Sequence, residues 1–271
     1  MTPNQTQNTQ DEAPILVDPK WLLRTIGLLI GAALVCGYLT LCLLFWQGQW
    51  QLVLHPAETG PVLTPAAAQM KFDDLRFDLT PAGQPLLHGW WIPGGANAAT
   101  TVLYLHSGDG TLTEALPRLV ELHEAGVNVL AFDYRGYGQS AGPHPTQVDM
   151  QQDAEAAWEY LAQERKVAPQ TIVPYGDGVG ASLAVQVAAA HGSSAVILSD
   201  PDFDVREIVR RDPRTRLIPV KLLFHEDFPL EPTLGTLQAQ KLVLPGNGES
   251  RAQSLSRFLS EYRTGAVPNS Q

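Results

Sequence analysis

Cysteine is scarce in this sequence of 271 residues, which contains only Cys36 and Cys42. The two thiols lie six positions apart inside an apolar run, a spacing that makes neither a disulfide framework nor a zinc-ligand pattern. The sequence therefore predicts no disulfide-rich fold and no metal site, and nothing in it calls for a cofactor.

Basic residues are also few. Lysine and arginine number 18 against 28 aspartates and glutamates, which gives a formal net charge of −10. Proteins that bind nucleic acid through its phosphates need a concentrated basic surface, so we expect no nucleic-acid partner. The apolar fraction of 44% is enough to fill a sizeable core, which excludes a wholly disordered chain.

Charge is absent from one stretch of 22 residues, which runs from Thr25 to Trp46 and reads TIGLLIGAALVCGYLTLCLLFW. At 1.5 Å per residue such a helix is roughly 33 Å long, which matches the hydrocarbon core of a bilayer. Trp21 precedes the stretch and Trp50 follows it, as is typical of residues at membrane interfaces. The pattern predicts a transmembrane helix over residues 21–47.

The basic residues that flank this stretch predict its orientation. Lys20 and Arg24 precede the span, whereas the next basic residue after it is Lys71. The positive-inside rule then places the N-terminus in the cytoplasm and the globular domain outside, in a periplasmic, extracellular or lumenal compartment.

Composition divides the rest of the chain into further segments. Residues 1–20 are rich in polar residues and are predicted to be a disordered leader, and residues 48–70 form a linker that contains prolines. Residues 71–262 are predicted to be the globular domain, and residues 263–271 a tail.

Short apolar runs alternate with helical stretches through the globular domain. Asp74–Leu79 and Pro85–Ile92 predict an antiparallel entry hairpin. Further strands are predicted at Thr101–Leu105, Asn128–Phe132, Thr171–Tyr175, Ala195–Leu198 and Lys241–Leu244. Helices are predicted near Thr113–Ala125, Thr146–Glu164 and Val179–His191. This alternation predicts an α/β fold, a mostly parallel sheet with helices on both faces, whose functional loops follow the carboxyl ends of the strands.

Four of those loops form a series: VLYLHSGDG (102–110), VLAFDYRGYGQSAG (129–142), IVPYGDGVGASLA (172–184) and KLVLPGNGE (241–249). Together they resemble the α/β-hydrolase superfamily, and most closely its membrane-anchored serine hydrolases related to depalmitoylases and prolyl-oligopeptidase-like enzymes. The resemblance extends from His55 to Glu249. It implies an acyl or peptide-like small ligand and, in active members, hydrolysis of ester, thioester or peptide bonds.

The resemblance fails at the nucleophile. In the family a strand-to-helix turn reads Gly-x-Ser-x-Gly, and the serine attacks the substrate. Here the turn is Gly176-Asp177-Gly178-Val179-Gly180, so that Gly178 occupies the serine position. Glycine has no side chain and cannot be a nucleophile. It does accept the strained backbone of such a turn without the cost that other residues incur.

The other two triad positions are also unmatched. Glu249 and Asp200 are the candidates for the acid, although each has a simpler interpretation as a surface or turn residue. The family's histidine follows one more strand near the C-terminus, whereas the seven histidines here all precede the loop at Glu249. The resemblance therefore predicts that the last strand and its histidine are absent.

Some groups could still act at this site. A shift of one position in the turn would make Asp177 a nucleophile, with His106 as the base, although His106 is more simply a residue at the end of a strand. The resemblance also implies that the backbone N–H groups of Gly108 and Val179 form a site like an oxyanion hole, able to polarise a carbonyl or hold an anion.

Two other clusters are predicted to be structural or superficial. The turn with Asp133, Arg135, Gly136 and Gly138 matches a structural turn of the family, in which the arginine is available to a carboxylate. The arginines of residues 206–216 form a basic cluster that is either a solvated helix face or a contact for lipid headgroups or a partner.

Two functions follow as hypotheses. The leading one is a membrane-anchored α/β-hydrolase-fold protein that has lost serine-hydrolase chemistry and works by binding or scaffolding. The alternative is an active hydrolase that uses non-standard residues on an ester, thioester or peptide. A third possibility is that a partner, which the sequence does not identify, adds the missing strand to an exposed sheet edge.

Overall fold

The computed structural model describes residues 18–56, 63–79, 85–96, 98–202, 204–244 and 249–264. The chain separates into two compact units, one ending at Phe45 and the other beginning at Trp46. Most of the predicted leader and tail, the turn of the entry hairpin and the loop before Glu249 lie outside the described residues.

Helix α1, Pro19–Gly48, contains the uncharged run and is 30 residues long. None of its side chains is buried. Within the described ranges it is the one helix that is long and apolar enough to cross a membrane. Length and composition therefore make α1 a candidate span, and they leave its orientation open.

The globular unit is built on one seven-stranded sheet. Its strands are β2 (Asp73–Leu79), β3 (Pro85–Ile92), β4 (Thr101–Leu105), β6 (Asn128–Asp133), β7 (Ile172–Asp177), β8 (Ala195–Ser199) and β9 (Gln240–Leu244). A separate parallel pair of two-residue strands joins β1 (His55–Pro56) to β5 (Asp109–Gly110). The order in the sheet is β2-β3-β6-β4-β7-β8-β9. The pairs β2–β3 and β3–β6 are antiparallel and the others parallel, which confirms the predicted entry hairpin and parallel sheet.

The helices of this unit are α2 (Leu112–Glu124), α3 (Gln147–Glu159), α4 (Gly180–His191), α5 (Val205–Arg211), α6 (Val220–Leu223), α7 (Glu231–Thr236) and α8 (Glu249–Thr264). The start of α2 shows why the sequence folds this way locally. Thr111 accepts a hydrogen bond from the backbone of the first turn, and Glu114 accepts one from the Thr111 N–H, so that each satisfies a group the helix leaves unpaired.

Helices cover both faces of the sheet, as the sequence predicts. On one face α2 and α8 join alternate strand residues such as Val102, Tyr104 and Val173 in a single apolar cluster. On the other face α3 packs on α4, which in turn lies on β7 and β8. Every residue of β4 and β8 is buried, because both strands are covered on two sides. In the described part of the chain β9 is the last strand and an edge strand, and α8 follows it.

The predicted structural turn connects β6 to α3. Arg135 Nε donates to Asp153 Oδ1 at 2.7 Å, and its Nη1 lies 2.9 Å from Asp149 Oδ1. Asp133 accepts a hydrogen bond from the Leu112 N–H at 2.9 Å, which fixes the start of α2 against β6. These hydrogen bonds give Asp133 and Arg135 a structural role in the turn.

A buried histidine joins the entry hairpin to β6. His88 Nε2 lies 2.6 Å from Asp74 Oδ1, and His88 Nδ1 lies 3.6 Å from Asp133 Oδ2. Burial of the ring lowers the pKa of His88, but the carboxylates of Asp133 and Asp74 outweigh burial, so that the pKa is raised above its ordinary value. The protonated ring therefore stabilises the folded state.

We expect the stability advantage of the wild type over His88→Gln to shrink as the pH rises from the ordinary histidine pKa of about 6.5 through the raised folded-state pKa. Because the folded-state pKa is raised, this contribution is complete below the unfolded-state pKa and is lost as the pH rises through the folded-state value. Denaturant unfolding of both proteins at several pH values measures the difference. Asp74→Asn should reduce the pH dependence in the same window, and an advantage that grows with pH would contradict the assignment.

Candidate functional site

The turn between β7 and α4 lies at the carboxyl ends of the parallel strands. Its crest is Gly178, whose backbone is left-handed with φ of +54°. The Gly178 N–H donates to the carbonyl of Ser199 at 3.0 Å, and the Gly178 carbonyl accepts from the Ala181 N–H at 3.2 Å. The turn is thus held by β8 on one side and by the first turn of α4 on the other.

The two flanking glycines let α4 approach the sheet closely. A Cβ on Gly180 would lie 2.3 Å from the Leu105 carbonyl oxygen and 2.6 Å from that of His106. A Cβ on Gly176 would lie 2.3 Å from the Gly180 carbonyl oxygen. Both positions face rigid backbone, so that only a residue without a side chain fits.

The crest itself has more room. A Cβ on Gly178 would lie 3.1 Å from Ser107 Cβ and 3.5 Å from Asp202 Oδ2. Ser107 and Asp202 therefore line the space that a nucleophile's side chain would enter, and the sequence pattern singled out neither for this role. Burial, followed by the charges of Asp109 and Asp177, raises the pKa of Asp202.

The side chain of Asp177 is held by hydrogen bonds to residues of β8 and β4. Its Oδ1 accepts from Ser199 Oγ at 2.7 Å, and its Oδ2 accepts from the Tyr104 hydroxyl at 3.2 Å. Burial and the nearby Asp177 raise the pKa of Tyr104, so that the hydroxyl keeps its proton and donates. A carboxylate with both oxygens engaged in this way is a weak nucleophile.

His106 is buried beneath the site. Its Nδ1 lies 2.7 Å from the Ser107 carbonyl oxygen, which can only accept, so Nδ1 carries the proton. The ring packs against Tyr134 and Tyr137 with centroids 4.4 and 5.0 Å away. Burial lowers the pKa of His106 and keeps the ring neutral. Nε2 is buried and has no hydrogen-bond partner among the residues that the structure describes.

An arginine–carboxylate network, formed by Arg118, Glu121, Asp177, Asp200 and Arg251, lies beside the turn. Arg118 is 3.3 Å from Glu121, 3.6 Å from Asp200 and 3.9 Å from Asp177, measured between the nearest charged atoms. Arg251 Nε is 3.0 Å from Glu121 Oε2.

Arg251 is the buried member of this network. Its guanidinium also donates to Ser199 Oγ at 3.0 Å and to the Tyr175 hydroxyl. The sequence pattern offered one signal for it, since Arg251 shares a helical face with the buried Leu255, Phe258 and Leu259.

The two acid candidates have different surroundings. Asp200 is exposed, has φ of +42° and lies within ion-pair distance of Arg118. Its backbone N–H donates to the Leu244 carbonyl at 3.0 Å. Glu249 is the first residue of α8, and its side chain and the preceding loop lie outside the described residues.

The residues predicted to supply backbone donors are neighbours. A Cβ on Gly108 would lie 3.3 Å from Val179 Cγ2 and 2.6 Å from the Val53 carbonyl oxygen. The Gly108 carbonyl accepts from the His55 N–H at 2.6 Å and from the Tyr137 hydroxyl at 2.9 Å. The segment at Val53 and His55, which the sequence assigns to a linker, therefore packs directly on the loop that carries Gly108.

Among the residues that the structure describes, no group of three or more histidines, cysteines, aspartates or glutamates is arranged to hold a metal ion.

Comparison with known proteins identifies the family. A family model described as serine aminopeptidase, S33, matches residues 97–260. An uncharacterized protein of Mycobacterium tuberculosis is 30% identical over 216 residues, which cover 75% of this chain and 71% of that protein. Human alpha/beta hydrolase domain-containing protein 17B is 34% identical over 106 residues, or 39% of this chain and 36% of that protein.

A solved structure shares the fold of this chain. The crystal structure of an α/β hydrolase from Vibrio vulnificus superposes with a TM-score of 0.59 and 20% identity, over 78% of this chain and 77% of that chain. The parallel sheet, the strand-to-helix turn and the matched family model define the class. This chain belongs to the α/β-hydrolase superfamily.

Proposed function

We propose that this protein is a membrane-anchored α/β-hydrolase-fold protein that has lost serine-hydrolase chemistry and acts by binding an acyl or peptide-like ligand or a protein partner. The observation that carries the proposal is Gly178, a residue without a side chain at the left-handed crest of the turn, where the resemblance leads us to expect a serine. Without a side-chain oxygen or sulfur there, no covalent acyl intermediate can form at this position.

The surroundings of Asp177 and His106, the residues that could replace the serine and its base, support loss of the hydrolase activity. Asp177 accepts hydrogen bonds from Ser199 and Tyr104, and His106 donates its Nδ1 proton to a backbone carbonyl. Neither contact joins a nucleophile to a base, which is the arrangement that activates a hydroxyl or carboxylate. The backbone donors at Gly108 and Val179 remain able to hold a carbonyl oxygen, so that a ligand could still bind.

Membrane anchoring is the second part of the proposal. It is supported by α1, which has the length and the uncharged composition of a single span. Lys20 and Arg24 before the span favour an N-terminus in the cytoplasm and a globular domain on the other side.

The full chain in detergent should neither hydrolyse short-chain aryl esters above the buffer rate nor be labelled by a fluorophosphonate probe. Gly178→Ser should remain unlabelled as well, because a hydroxyl at the crest would still need a base within hydrogen-bond reach. Gel fluorescence and a spectrophotometric ester assay measure the two outcomes.

Two variants separate this proposal from the alternative of an active hydrolase. Labelling or turnover that disappears in Asp177→Asn would establish a nucleophile of non-standard type and overturn the proposal. Turnover that disappears in Ser107→Ala would overturn it equally, because Ser107 Cβ would lie 3.1 Å from a Cβ at the crest and its side chain carries a hydroxyl. Labelling of Gly178→Ser, in the absence of wild-type labelling, would show that a base is present after all.

A further inference from the structure

Positive charge is concentrated in one part of this acidic chain. Residues 206–222, named here the basic segment, contain six basic and two acidic residues, whereas the whole chain has a net charge of −10. The segment includes most of α5 and α6 and the turns between them. It surrounds an open depression of about 710 Å³, which Arg210, Arg211, Arg216 and Lys221 help to line.

The basic side chains of this segment fall into two groups. Four arginines have carboxylate partners, namely Arg206 with Asp227, Arg210 and Arg211 with Glu207, and Arg214 with Asp212. Arg216 and Lys221 are exposed, and neither forms an ion pair with any residue that the structure describes. These two charges are therefore available to an anionic partner.

An exposed leucine follows each of these two residues. Leu217 is 72% exposed and Leu222 is 80% exposed, which makes them the most exposed large apolar residues in the described chain outside α1. Ile218 and Val220, which lie between them, are buried and hold the turn in place. Two neighbouring pairs of a basic residue and an outward leucine are typical of surfaces that enter the headgroup region of a bilayer.

Trp46 and Gln49, at the start of the globular unit, contact the residues directly after this segment. Gln49 Nε2 donates to the Leu223 carbonyl at 3.3 Å, and the His225 N–H donates to Gln49 Oε1 at 2.8 Å. Trp46, the last residue of the uncharged run, packs against the His225 ring with centroids 5.8 Å apart. If the uncharged run spans a bilayer, Gln49 lies near the surface of that bilayer. Leu222 precedes Leu223, whose carbonyl accepts the hydrogen bond from Gln49.

We propose that the basic segment docks on the anionic phospholipid headgroups of the bilayer that α1 enters, with Arg216 and Lys221 on the phosphates and Leu217 and Leu222 in the interface. This proposal rests on the proposed membrane anchoring. The positive charge of the basic segment is complementary to an anionic lipid surface. The same surface would repel the rest of this acidic chain, so the basic segment is the part that faces the lipid. Docking would hold one face of the globular unit against the membrane.

Amide hydrogen exchange of the full chain in lipid nanodiscs tests the docking. We expect peptides covering residues 214–223 to exchange about five-fold more slowly in discs of equal parts phosphatidylcholine and phosphatidylglycerol than in discs of phosphatidylcholine alone. High salt should abolish most of the difference, because it screens charges at the surface. The double variants Arg216→Gln/Lys221→Gln and Leu217→Ser/Leu222→Ser should each lose the protection.

The matched control is Lys241→Gln/Arg257→Gln, which removes two exposed positive charges from β9 and α8 and should keep the protection. Failure of the chain to enter discs would overturn the anchoring and the docking together. Entry without protection, or equal protection in both kinds of disc, would overturn the docking alone. Protection that rises with protein concentration in detergent would identify a second copy of the chain, rather than lipid, as the occupant.

Discussion

Gly180→Ala is expected to lower the free energy of unfolding by about 3 kcal/mol or more. The added methyl would lie 2.3 and 2.6 Å from two backbone carbonyl oxygens at the end of β4. Neither oxygen can move without displacing a strand that is buried along its whole length, so α4 would have to shift off the sheet. Denaturant unfolding of the full chain in detergent, followed by tryptophan fluorescence, measures the loss.

Alanine substitutions at two other glycines provide a comparison for the expected stability loss of Gly180→Ala. Gly178→Ala should cost about 1–3 kcal/mol, because a left-handed backbone is strained for any residue with a Cβ. Gly235→Ala places a methyl in α7 where no atom lies within 4 Å, and it should cost nothing or stabilise the helix slightly. Equal stability of the Gly180→Ala and Gly235→Ala proteins would show that α4 does not approach the sheet as closely as described.

Arg251→Met should lower the free energy of unfolding by about 3 kcal/mol. The substitution keeps the apolar bulk of the side chain but leaves Glu121 without its partner on α8, and it removes donors from Ser199 and Tyr175. Burial raises the pKa of Tyr175 to about 12, so its hydroxyl is neutral and cannot replace the lost charge interaction. Arg118 still lies 3.3 Å from Glu121, so the cost comes mainly from the buried Ser199 and Tyr175 hydroxyls, which lose a charged donor in a desolvated place.

The control for this prediction lies on the same helix. Arg257 is exposed, and Arg257→Met should change stability by less than about 0.5 kcal/mol. A double-mutant cycle with Glu121→Gln should recover a coupling energy of about 0.5–3 kcal/mol between Arg251 and Glu121. Independent, additive losses would mean that Arg251 contributes through packing and through Ser199 and Tyr175 rather than through Glu121.

The fold was predictable because its local signals agree with one another. The apolar runs of β4 and β8 are long enough only for buried strands, and helix patterns separate them, so a parallel sheet with crossovers was the consistent solution. The entry hairpin followed from two strands close in sequence. The strand-to-helix turn with Gly178 was identified in the same way, since it requires glycines at fixed spacing.

The surroundings of the turn were not predictable in this way. Ser107 and Asp202 are about 71 and 24 residues from Gly178, and no spacing rule places their side chains at the crest. Arg251 shares a helical face with apolar residues in the sequence, but only the fold brings its guanidinium to Glu121 and Tyr175. The packing of Val53 against Gly108 was not predictable either, because it joins the predicted linker to a loop that is distant in sequence.

The sequence by itself determined the strands of the main sheet and the three helices α2, α3 and α4 between them. It also determined the uncharged run of α1 and the lack of a side chain at the predicted nucleophile position, since each depends on residue types and short spacings. Only the tertiary structure decided where Asp177 and His106 point, which carboxylates flank His88, and that Arg216 and Lys221 lie beside outward leucines. Those properties depend on which distant residues share a desolvated space and which side chains find partners there, and long-range packing sets both.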